Sequence, residues 1–174
     1  EDFNKWPFWQ RGAGAFVRGR AYGIMKFGEK AEADLQTALA HTADARIRTS
    51  ILATMGANRE TNLKDADGAL DAYRRNLEGK KAIGAAEEFR SAQNAARILA
   101  RQGRIDEALA MIERVRVEKQ RGFWRHSTLL VLGEILGGAG RKEAALKAYL
   151  DVLDDESASA AHRKSAGERI EKLK

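Results

Sequence analysis

The chain lacks cysteine altogether and has one proline, three histidines and few aromatics, which make up 7% of its 174 residues. Without cysteine there are no disulfides, thiolate zinc sites, iron–sulfur clusters or thiol nucleophiles. A cysteine-free chain suits a reducing cytoplasm and a bacterial periplasm equally, so the compartment stays open between these two. No apolar run approaches the roughly 18 residues that a membrane span requires. Glu1 is preceded by no initiator methionine and followed by no signal-type apolar stretch, which reads as a processed chain or, better, a domain excised from a longer polypeptide.

Alanine supplies 31 residues and charged residues 32%, the composition of a helical protein with close helix contacts. A chain of this mass can bury roughly 70% of its extended surface, enough for a core without staples. β-branched residues never alternate with polar ones over a useful length, and no Asn-Gly or Asp-Gly turn separates two such runs. Helical periodicity runs throughout, and Arg18–Leu39 shows it well, with small or apolar residues every three or four positions. Breaks at Phe27–Gly28, Thr42–Asp44, Leu63–Asp65, Gly79–Lys81, Gly103, Arg121–Gly122, Gly138–Gly140 and Asp154–Ser157 predict eight helices and a ninth over Ser157–Lys174. Pro7 suits the first turn of the first helix, where a missing N–H costs nothing.

Internal repeats carry the strongest signal. GRIDEAL (Gly103–Leu109) and GRKEAAL (Gly140–Leu146) are related, and KFGEKAE (Lys26–Glu32) and KDADGAL (Lys64–Leu70) fill the same slot. Anchored on Ala31, Ala69, Ala108 and Ala145, the intervals are 38, 39 and 37 residues. Twelve residues before each anchor stands a small residue (Gly19, Ala57, Ala96, Gly133), and four after it a large one (Leu35, Tyr73, Ile112, Tyr149). Antiparallel helices approach closely only where both present small side chains, and a large neighbour then fills the space beside the crossing.

These spacings resemble the tetratricopeptide repeat over about residues 10–153, best in Arg18–Leu39 and Leu132–Leu153. The period exceeds the family's 34 residues, the bulky residue near the start of each first helix is alanine in three repeats (Ala15, Ala53, Ala92), and Glu60 stands where an aromatic or leucine belongs. The last departure allows a one-residue slip in the second repeat. The Sel1-type helical-pair repeat is the nearest alternative. The resemblance implies an all-α, right-handed α-solenoid of four antiparallel helix pairs plus a C-terminal capping helix. It forms a single domain over 1–174, with repeats at about 8–42, 43–79, 82–120 and 121–154 and the cap at 157–174.

Reaction chemistry finds little footing. His41, His126 and His162 fall in different repeats outside any metalloprotease or triad pattern, and read as surface or capping residues. Asp154-Asp155-Glu156 lacks the alternating ligands of a calcium loop and reads as a solvated turn. Gly12-Ala13-Gly14 is not followed by the lysine of a phosphate loop. The cluster Trp6-Pro7-Phe8-Trp9 reads as a cap on the first repeat or a docking point, and Phe123-Trp124 as a wedge between repeats three and four. The ninth helix, with Ala161, Ser165, Ile170 and Leu173 amid charges, reads as a solvating cap. No catalytic residue, metal ligand or cofactor is expected.

The formal net charge of +6 is unevenly placed: residues 89–127 carry nine Lys/Arg against four acids, so +5 lies there and +1 elsewhere. Arg90, Asn94, Arg97 and Arg101 fall within about 60° on one helix face, with Ala92, Ala95, Ala96 and Leu99 roughly 170° away. In a tetratricopeptide-like array that face lines the concave groove, so the resemblance implies partner-binding residues Arg20, Arg90, Asn94, Arg97 and Arg101. Arg90 and Asn94 stand where some members clamp a peptide carboxylate, but Phe16 and Arg20 replace the clamp residues of repeat one, so the full clamp is absent. The expected function is a non-catalytic module that binds an acidic protein or peptide segment, or a neighbouring domain, in a basic groove. The alternatives are a nucleic-acid-binding helical repeat, disfavoured because no aromatics interleave with the arginines, and an accessory domain of a larger enzyme.

Overall fold

The computed structural model describes residues 7–78, 85–115 and 122–173. The side chains of Trp6, Phe8 and Trp9, the Gly79–Lys81 break, and Arg116, Lys119 and Arg121 of the basic stretch lie outside the described residues. Among those described there is no strand, and nine α-helices pack in neighbouring pairs. The chain divides into two compact units, Glu1–Ser91 and Ala92–Lys174, with the boundary inside helix α5 (Ala85–Arg101).

In the first unit α1 (Phe8–Ile24) pairs with α2 (Gly28–Ala40), and α3 (Ala45–Asn58) pairs with α4 (Ala66–Glu78). Pro7 sits one residue earlier than expected, as the residue that caps α1. Asp44 caps α3 by accepting from the N–H groups of Arg46 and Ile47 at 2.8 and 3.0 Å, satisfying donors that the helix itself leaves open. A core of Ala15, Leu35, Ala38, Ile51, Leu52, Met55 and Ala72 lies between the helices. Two buried carboxylates are paired: Arg18 donates to Asp34 at 2.6 and 2.7 Å, and Arg59 to Glu32 at 2.6 and 3.0 Å. Each pairing favours the charged guanidinium and holds its pKa above the ordinary arginine value.

In the second unit α6 (Ile105–Arg114), α7 (Gly122–Gly138), α8 (Lys142–Leu153) and α9 (Ala160–Glu171) follow the end of α5. Leu129, Leu130, Leu136, Ala145, Tyr149 and Val152 form the core, closed at one end by Ala158 and Ala166 with Ile170 and Leu173 against it. The cap thus buries His162 and Ala166, while Ala161 is exposed. Phe123 corrects another expectation. It is 61% exposed and meets His162 edge-on at 4.9 Å, so it is no wedge.

The predicted small and large residues are buried, Ala57 excepted. Ala31, Ala69, Ala108, Ala145 and Ala96 are fully buried, as are Leu35, Tyr73, Ile112 and Tyr149 within a few per cent. Ala92, Ala95 and Leu99 are equally inaccessible. A Cβ on Gly19 would stand 3.0 Å from Leu35, and one on Gly133 would stand 2.3 Å from the Tyr149 ring.

The second repeat departs by one residue. Its tight seat is Gly56, whose Cβ would lie 2.4 Å from the Tyr73 ring, whereas Ala57 is only half-buried. The slip is absorbed by a π-helical turn at Arg59–Leu63. Four helix-to-helix turns place a residue in the left-handed region, at Lys26 (φ 62°), Lys64 (φ 58°), Gly103 (φ 76°) and Gly140 (φ 74°). Seven residues separate Gly19 from Lys26, Ala96 from Gly103 and Gly133 from Gly140, but eight separate Gly56 from Lys64. In three turns the next residue's N–H closes back on the carbonyl five before it (Phe27 on Tyr22, Arg104 on Leu99, Arg141 on Leu136, each 2.9 Å). Asp65 reaches one residue further, to Arg59. With the slip, Leu52, buried, takes the place assigned to Ala53, so the bulky residue expected there is present.

Candidate functional site

The expected groove residues divide between the units. Arg20 and Arg90 line one open hollow of about 400 Å³ in the first unit. α1 contributes Phe16, Arg20 and Ile24, spaced by four so that they share a face. α3 contributes Ser50, Thr54, Ala57 and Asn58, and the start of α5 contributes Glu87 and Arg90. The Arg20 guanidinium stands 5.7 Å from the Phe16 ring centroid, within cation–π range. Neither Arg20 nor Arg90 has a salt-bridge partner among the described residues.

The polar floor of this hollow is largely committed to the fold. Asn58 donates to Gly28 O, and Asn62 donates to both Gly23 O and the side-chain Oδ1 of Asn58, each at 2.9–3.0 Å. These bonds satisfy carbonyls around the α1–α2 turn, and the π-turn is what brings Asn62 to Gly23. The Thr54 and Thr61 hydroxyls donate back to Ser50 O and Ala57 O at 2.7 and 2.6 Å. The two guanidinium groups therefore remain as the strong donors facing the hollow, beside the apolar Phe16 and Ile24.

Asn94, Arg97 and Arg101 belong to the second unit. Arg97 is not a free cation: its Nε lies 3.6 Å from Glu134 on α7, and Glu134 is shared with Arg169 of α9 at 3.5 Å. Asn94 is half-buried, and Arg101 is exposed, its Nε donating to Arg97 O at 3.4 Å. Beneath this face Gln93 donates to Thr128 on α7 at 2.9 Å.

A second cluster escaped the sequence reading. His126, expected at the surface, is 1% exposed, and its Nε2 lies 2.8 Å from Asp155 Oδ2. Asp155, expected in a solvated turn, also accepts from Arg125 at 3.2 Å and from the Ser157 hydroxyl and N–H at 2.6 and 2.9 Å. The Ser157 hydroxyl, then His126, hold its carboxyl far below the usual carboxylate range. His162 packs 5.6 Å from the His126 ring, and burial followed by that neighbour pushes its pKa down. His41 matches the capping role, its Nδ1 being 2.9 Å from Thr37 O at the end of α2, and His162 Nδ1 lies 2.9 Å from the hydroxyl of Ser159, which caps α9. No group of three or more metal-ligating side chains occurs among the described residues, and no described helix is long and apolar enough to cross a membrane.

No protein-family model, curated protein or solved structure matches this chain.

Proposed function

We propose that the chain is a tetratricopeptide-like right-handed solenoid of four helix pairs and a cap, acting as a non-catalytic module that binds an acidic segment of a protein partner. One observation carries the reading: Arg20 and Arg90, from helices far apart in sequence, line one open hollow without salt-bridge partners among the described residues, beside apolar Phe16 and Ile24. A ligand that matches this surface carries carboxylates for the guanidinium donors and an apolar side chain for the wall between them.

A synthetic peptide alternating leucine and glutamate is the probe, its binding followed by fluorescence anisotropy. Saturable binding that falls at least roughly tenfold in an Arg20→Glu/Arg90→Glu variant of unchanged melting temperature supports the reading. Equal binding by the two proteins, or none, overturns it. A random oligonucleotide is titrated in parallel across salt concentration. Tighter binding to it, with a steep log–log salt slope, transfers the function to nucleic acid.

A further inference from the structure

We propose that a different face of the first unit, formed by α2, α3 and α4, binds a phosphate group. Along α3 and the first residue of the π-turn that follows it, Arg48, Met55 and Arg59 lie on the side opposite Ser50, Thr54 and Ala57, so this face is separate from the hollow lined by Arg20 and Arg90. Arg48, Arg59 and Arg75 line a shallow open hollow of about 450 Å³ there, together with Gln36, Leu39 and Met55. Arg48 and Arg75 also line an adjoining hollow of about 430 Å³, so the two arginines mark the place where both meet.

The three guanidinium groups are not equivalent. Arg59 is committed to Glu32 and to Gly68 O, and its charge is neutralised. Arg48 uses a single nitrogen, Nη1, to bind Leu39 O at 2.9 Å and Thr42 O at 3.1 Å. Those two carbonyls lie at and just beyond the end of α2, so they fix the guanidinium plane. The edge formed by Nε and Nη2 then has no protein acceptor among the described residues. Among the described residues Arg75 has only Asp71, one turn earlier on its own helix, at 3.6 Å and exposed. No carboxylate is among the described residues lining the hollow that Arg59 shares, and Glu78 is the one carboxylate among those lining the adjoining hollow.

A pre-positioned guanidinium edge presents two parallel donors, which match two oxygens of an anion. A planar carboxylate spends both its oxygens on that edge. A tetrahedral phosphate keeps further oxygens for Arg75, and its second negative charge suits two cations. Leu39 and Met55 give the hollow an apolar wall, which an organic phosphate covers and the free ion does not.

The test is a nitrogen-15 NMR titration of the whole chain, at constant ionic strength, with inorganic phosphate in one series and glycerol 1-phosphate in another. The expected result is saturating shifts of the Arg48 and Arg75 Nε–H signals. Arg75→Gln, which removes no buried contact, should weaken binding roughly tenfold or more, and Arg48→Gln should abolish it. Arg20→Gln/Arg90→Gln should leave it unchanged, which separates this site from the peptide-binding hollow. Tighter binding of glycerol 1-phosphate identifies a phosphate monoester as the ligand, and equal binding identifies the free ion. Absence of saturable shifts, undiminished binding by Arg75→Gln, or loss of binding in Arg20→Gln/Arg90→Gln overturns the proposal.

Discussion

Gly56 lies directly against the ring of Tyr73, so close that a Cβ on Gly56 would stand 2.4 Å from Cε1 and 2.7 Å from Cδ1. Tyr73 is almost fully buried and cannot swing away at low cost. Gly56→Ala is therefore expected to overpack the α3–α4 crossing by about 1–3 kcal/mol. At this chain length that lowers the melting temperature by roughly 2–4 °C per kcal/mol. Ala57→Ser, on the hollow-facing side, should change stability by less than about 0.5 kcal/mol. Thermal melts of both variants check the register, and the reverse ordering would return the seat to Ala57.

Lys64 pays for a left-handed backbone that glycine adopts freely at the matching positions Gly103 and Gly140. Lys64→Gly removes a strain of about 1–2 kcal/mol and adds unfolded-state entropy, for a net gain of up to about 1 kcal/mol. Gly103→Ala is the mirror experiment. Nothing lies within 4 Å of its Cβ, so its loss of about 1 kcal/mol is purely conformational. Urea midpoints moving in opposite directions confirm the pair, and a neutral Gly103→Ala contradicts the turn geometry.

The corner between α7 and α9 makes stability depend on acid. His162 has a depressed pKa in the folded protein, so on acidification the unfolded chain takes up the proton first. Its contribution is complete above the unfolded value near 6.5 and is lost as pH falls below it. Asp155, also depressed, adds a second loss in the carboxylate range below about pH 4. Melting temperature should fall between pH 7 and 5, and His162→Asn should flatten that decline. An equal slope in the variant would assign the acid sensitivity elsewhere.

What the sequence made legible is what local spacing can encode. Ala31, Ala69, Ala108 and Ala145 recur as fully buried small residues, and Leu35, Tyr73 and Tyr149 recur because each packs on a glycine of the neighbouring helix. The left-handed turns repeat at the same intervals, although two of them use lysine and carry no glycine signal. The π-turn was legible only as Glu60 standing out of place, since a fixed helical period cannot represent a residue gained within a helix. The pairing of His126 with Asp155 spans 29 residues and depends on how α7 meets the α8–α9 turn, which no local pattern records. Likewise Arg48 reads as one more surface charge until Leu39 O and Thr42 O fix it. The groove stripe was half legible: helical phase gathers Arg97 with Arg101, but Glu134, thirty-seven residues on, decides that Arg97 is paired.

Insertions in helical proteins are ordinarily tolerated in loops, because one residue added to a helix rotates everything beyond it by about 100°. The wide turn at Arg59–Leu63 takes up such a residue while Gly56 and Tyr73, on either side, keep their contact. A lineage carrying this device is free to gain or shed a residue inside a helix without losing the crossing. Its units are then bounded by contacts rather than by length, and alignment by a fixed period would count an inherited insertion as a mismatch.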